Sequence, residues 1–78
     1  MNASDHIPLK TLTDAAARAQ AALNLKYRPV VVRSEVHAFS IADRTKASTV
    51  MLGEGAYWVV CLADAARLEA AGYEWASR

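Results

Sequence analysis

The stretch AYWVVC, residues 56–61, constrains this chain most, because it is apolar on both faces that a strand would present. Side chains alternate along a strand, so Tyr57 and Trp58 must point in opposite directions, with Val59 and Val60 alternating behind them. Such a strand is either central and covered twice, or covered once and closed by another chain. The run STVMLG precedes it, and the glycines of the intervening GEG suit a tight β-hairpin connection. In a chain of 78 residues large apolar side chains are scarce. A domain of that size buries only roughly 60% of its unfolded surface. Much of the 54% hydrophobic content is alanine, so the larger residues must carry the core.

The elements around the hairpin follow from periodicity. TLTDAAARAQAALNL reads as a helix in which Leu12, Ala15, Ala16, Ala19, Ala22 and Leu23 share one face. Thr11 is placed to N-cap it, Asp14 to sit in its first turn, and Asn24 to end it in the left-handed region. YRPVVVRS reads as a strand with Pro29 near its start. EVHAFSIAD also reads as a strand, with His37, Phe39 and Ile41 on one side, and RTKA then makes a polar turn. CLADAARLEAAG gives a second helix, with Asp64 in its first turn and Gly72 at its C-terminal cap. YEWASR follows as a short extended tail.

The expected order is α-β-β-β-β-α, an α+β fold with an antiparallel sheet of three to four strands and a helix at either end. Residues 1–8 are expected to be a polar lead-in and residues 9–78 a single domain.

Charge and composition narrow the function classes. The net charge is +1, but residues 26–46 hold five cations against two carboxylates, and residues 47–78 hold two against four. A dedicated nucleic-acid binder usually shows a stronger basic excess. One cysteine makes no intrachain disulfide, which fits a reducing cytoplasm. No signal-peptide pattern is visible, and GAYWVVCLA is far short of the ~20 residues of a membrane span.

Nothing in the chain is spaced for chemistry. His6, His37 and Cys61 lie far apart with no CxxC or HxxxH, so no metal or cofactor is expected. His37, in phase with Phe39 and Ile41, is expected to be a partly buried sheet histidine. Cys61 closes a strand where a helix begins. It reads as a small buried hydrophobe, with a reactive thiol as the sharper alternative. Ser34, Ser40 and Ser48 lack the GxSxG elbow of a hydrolase, and GEG is no phosphate loop. The chain is therefore expected not to be an enzyme.

Two binding readings remain. The first is a protein-contact face formed by the outward member of the Tyr57/Trp58 pair, with Arg33, Arg44 and Lys46 beside it. It implies a host protein or protein complex as partner, with a homodimer as the other option. The second is a nucleic-acid patch of Tyr27, Arg28, Arg33, Arg44 and Lys46, in which cations grip phosphates and the tyrosine stacks. The same cations would equally serve to protect sheet edges from aggregation.

In type, this compact, alanine-rich and chemistry-poor α+β chain resembles small phage or mobile-element accessory proteins, of which anti-CRISPR inhibitors are the best-known group. The resemblance implies a cytoplasmic inhibitor that docks on a bacterial CRISPR effector complex without catalysis. It does not extend to the strongly acidic DNA mimics of that group.

Overall fold

The computed structural model describes residues 9–76, with side chains from Leu12 onward; the lead-in at 1–8 and His6 lie outside the described residues. The elements run α1 (Leu9–Leu23), β1 (Val30–Val32), α2 (Glu35–Arg44), β2 (Ser48–Gly53), β3 (Ala56–Cys61), α3 (Leu62–Ala70) and β4 (Glu74–Trp75). The four strands form one antiparallel sheet in the order β1-β3-β2-β4. The fold is thus α+β with an antiparallel sheet, as its patterning predicts.

β3 occupies an interior position and is covered on both faces. On one face Trp58, Val60, Ala56 and Met51 pack with Leu12, Ala15, Ala16 and Ala19 of α1 and Ala65 and Leu68 of α3. On the other, Val59 and Val50 pack against Ala38 of α2, with Val32, Phe39, Ile41, Ala42 and Tyr57 around them. The two-sided apolarity of AYWVVC is therefore satisfied within this chain. The alanines of α1 carry the close approach to the sheet, while Trp58, Met51, Leu68 and Val50 supply the fully buried bulk.

One expected strand is a helix. EVHAFSIAD forms α2, because Ser34 adopts an extended N-cap conformation and its Oγ accepts the His37 amide at 3.3 Å. Glu35 in the first turn and Arg44 in the last complement the helix dipole. Ala38, Phe39, Ile41 and Ala42 face the sheet at helical spacing, whereas Val36 is 79% exposed. His37 is an exposed helix residue and not a sheet histidine. The fourth strand comes instead from the tail, where Glu74 and Trp75 pair with Leu52 and Met51.

The turns are set by backbone conformation. Gly53 and Ala56 pair across a two-residue loop, and both Glu54 (φ 52) and Gly55 (φ 74) lie in the left-handed region. That is the primed turn whose twist matches the flanking strands. Asn24 (φ 55) ends α1, and the Leu25 amide returns to the Gln20 carbonyl at 3.0 Å. At the other end α1 begins at Leu9, so Thr11 lies within the helix and not ahead of it, and no acidic residue occupies its first turn. Gly72 (φ 102) ends α3, with the Tyr73 amide bonded to the Leu68 carbonyl at 3.0 Å.

That cap throws Tyr73 across the sheet onto Gly53, where any Cβ would collide with the tyrosine ring. The ring also meets Trp58 edge-on at 5.0 Å, and Trp58 Nε1 donates to the Gly53 carbonyl at 2.9 Å. Burial, with Glu54 as neighbour and hydrogen-bond acceptor, pushes the Tyr73 hydroxyl up to about 12. Hairpin, α3 and β4 are thereby joined into one unit.

Candidate binding site at one end of the sheet

A cavity of about 340 Å³ opens where the α1–β1 loop, the end of α2 and the start of β2 meet. Its apolar lining comes from Val30, Ile41, Val59 and Val60, with Ile41 and Val59 on the α2-covered face of the sheet. Tyr27, Arg28 and Lys46 line its mouth, and no acidic side chain is among its lining residues. Tyr27 and Val30 are 59% and 46% exposed, so aromatic and aliphatic surface lies open beside the cations. Lys26 sits 5.4 Å from the centre of the Tyr27 ring, in cation–π range, and adds a third positive charge next to the opening.

The first turn of α3 holds both lips. Asp64 is 2% exposed, yet its two carboxylate oxygens accept the backbone amides of Lys26 at 2.8 Å and Tyr27 at 3.0 Å. Burial pushes its pKa up, but the Lys26 and Tyr27 amides, the Cys61 thiol and Arg67 outweigh burial and leave it below the ordinary carboxylate value of 3.8. On the opposite lip the Leu62 amide donates to the Ala47 carbonyl at 2.8 Å, anchoring the turn that carries Lys46. Ala47 itself is left-handed at φ 54. One helix start thus ties down the backbone at Lys26, Tyr27 and Ala47, next to Arg28 and Lys46.

The chemistry on offer is attraction of a charge next to burial of an apolar group. Thr45 and Ser48 border the cavity, but their hydroxyls already donate to the Ile41 carbonyl (2.9 Å) and the Lys46 carbonyl (3.3 Å). Positive charge at the mouth therefore comes from Arg28 and Lys46. Arg28 spends its Nε on the Gln20 side chain at 3.4 Å and keeps its exposed terminal nitrogens as donors. Cys61 is half-buried beside Asp64, while His37 stands exposed on α2. Among the described residues no group of three histidine, cysteine or acidic side chains is placed to hold a metal ion.

The structure divides the residues singled out in the sequence. Tyr27, Arg28 and Lys46 come together at the cavity. Arg33 does not join them, because it follows Val32, which pairs with Tyr57 toward the hairpin end of β3. Arg44 lies on α2, its Nε bonded to the Ser40 carbonyl at 3.2 Å. Trp58 is fully buried, so it is a core residue and presents no surface to a partner. Tyr57 is the other-facing member of the pair, but α2 covers that side. It is half-buried, its hydroxyl 3.4 Å from Glu35 Oε2.

Sequence reasoning missed Lys26, Val30 and Ile41 at this end of the sheet, and missed Asp64 as the residue that shapes it. A helical reading of residues 35–44, signalled by Ser34 followed by Glu35, would have brought Ile41 to the cavity. No family model, curated protein or solved structure matches the chain. Among the described residues no helix is long and apolar enough to cross a membrane.

Proposed function

We propose that this protein is a non-enzymatic binding module that docks on an acidic surface of a partner protein through the Tyr27–Arg28–Val30–Lys46 end of its sheet. The observation that carries this reading is the exposure of Tyr27 and Val30 beside a largely apolar cavity whose charged lining residues, Arg28 and Lys46, are both positive. Exposed aromatic and arginine side chains around an apolar centre are the usual anchors of protein interfaces.

A nucleic-acid partner is less well supported. A grip on phosphates needs a run of cations, and here Arg33 follows the opposite end of β1 from Arg28 and Lys46. The resemblance in type to anti-CRISPR inhibitors makes a bacterial effector complex the first partner to test. That choice rests on the resemblance alone.

The experiment is a charge reversal, Arg28→Glu with Lys46→Glu, which leaves the core untouched. Circular dichroism should show a folded protein, and binding to the effector complex that retains the wild type should be lost in biolayer interferometry. A partner held equally by wild type and variant would place the interface elsewhere. Tight binding of the wild type to single-stranded oligonucleotides, falling steeply with salt, would replace this reading with the nucleic-acid one.

A further inference from the structure

We propose that β1 accepts a fifth strand: an extended acidic segment of the partner that puts a bulky apolar side chain into the cavity beside Val30 and its carboxylates on Arg28 and Lys46. This rests on the docking reading above and specifies its mode.

Three observations converge on it. First, β1 is a sheet edge, paired on its inner side with β3 through Val30↔Val59 and Val32↔Tyr57. Among the described residues no strand pairs with its outer side. An open edge is a template for an added strand. Second, Val30 belongs both to that edge and to the cavity lining, and it is 46% exposed. A residue directly opposite Val30 on an added strand would have its Cβ roughly 5 Å away on the same face. A leucine or phenylalanine there reaches the apolar floor made by Ile41 and Val59.

Third, charge selects the occupant. Arg28 and Lys46 line the mouth with no acidic residue among the lining, so carboxylates flanking the apolar residue find partners and cations do not. The same argument disfavours a second copy of this chain. Pairing β1 with another β1 antiparallel would bring Arg28 of one copy toward Arg33 of the next, since these residues flank the strand.

β1 spans only three residues. Backbone pairing is therefore short, and the cavity and the charges must supply most of the selectivity.

The probe is a terminally blocked hexapeptide, leucine-valine-leucine followed by three glutamates, titrated into the isotopically labelled protein at low salt. Amide shifts should concentrate on Val30–Val32 and on the Thr45–Lys46 turn. A lysine-tailed peptide should bind at least tenfold more weakly, and the double variant Arg28→Glu/Lys46→Glu should reverse that preference. A peptide with proline at the central valine, which removes a backbone donor, should lose about fivefold or more.

The proposal is overturned by no shift at millimolar peptide, by shifts confined to the turn while β1 stays unchanged, or by equal binding of glutamate and lysine tails. Concentration-dependent dimerisation of the free protein through β1 would overturn it in favour of a second copy. If the peptide fails while capture of the intact partner still depends on Arg28 and Lys46, strand addition is wrong and the docking reading stands. If both fail, both are wrong.

Discussion

Removing the Asp64 carboxylate should cost this small domain a large share of its stability. Asp64 is 2% exposed and accepts two backbone amides 38 and 37 residues away in sequence. Hydrogen bonds to a charged group contribute about 1.5–3 kcal/mol each. Asp64→Ala would leave the Lys26 and Tyr27 amides without their acceptor, so a loss of about 3 kcal/mol is expected at neutral pH. Asp64→Asn keeps the shape and one acceptor oxygen but turns an amide N–H toward the other donor, and about half that loss is expected. For a domain of this size 1 kcal/mol moves Tm by roughly 4–8 °C, so the alanine variant should melt more than about 10 °C below the wild type.

The pH dependence distinguishes this mechanism from a packing defect. Because the folded pKa of Asp64 lies below 3.8, its carboxylate stabilises the fold fully above that value. The contribution is lost as the pH falls through the lower, folded-state pKa. The stability gap between wild type and Asp64→Asn, from urea unfolding followed by circular dichroism, should be constant at neutral pH and narrow below pH 3.8. A gap under about 0.5 kcal/mol at pH 7, or one that does not change on acidification, would refute the assignment of Asp64 as a charged acceptor for the loop.

Further outcomes follow from the other junctions. Gly53→Ala should cost about 2 kcal/mol or more in chemical unfolding, since the new Cβ must push Tyr73 off the strand. Loss of the Trp58–Tyr73 contact would be visible in near-ultraviolet circular dichroism. Trp58→Phe should cost about 2–3 kcal/mol through the lost bond to the Gly53 carbonyl and the space left behind. It should also remove the blue-shifted part of the tryptophan fluorescence and leave the red-shifted emission of Trp75, which is 46% exposed. Ala47→Gly should raise stability by about 0.5 kcal/mol or more, because a side chain at φ 54 is strained and glycine is not. A thermal scan showing Ala47→Gly less stable than wild type would contradict that reading.

What the sequence disclosed and what it withheld divide along the range of the interactions. The hairpin, Asn24 at the end of α1 and Gly72 at the end of α3 were legible because each is a local backbone requirement met by a fitting residue. α2 was not, because His37, Phe39 and Ile41 alternate in a helix of only ten residues and mimic a strand. The Ser34 cap and the Ala38–Phe39–Ile41–Ala42 face were the competing local signals, and those two carried the outcome.

β4 has two residues and exists because Tyr73 caps α3 and lies on Gly53, a contact no window of sequence contains. The candidate site divides in the same way. Tyr27, Arg28 and Lys46 could be named from composition. Their grouping away from Arg33 depends on strand register, and the part played by Asp64 depends on a partner nearly forty residues distant.

The interior position of β3 has a consequence for how the protein comes to exist. β1 has no inner neighbour until β3 is made, and before Met51, Trp58 and Leu68 arrive the apolar stripe of α1 has only Leu25 and Val31 to pack against. During synthesis the first half of the chain must therefore wait, exposed, for the second. A truncation before residue 61 should yield an aggregating fragment and no smaller stable core.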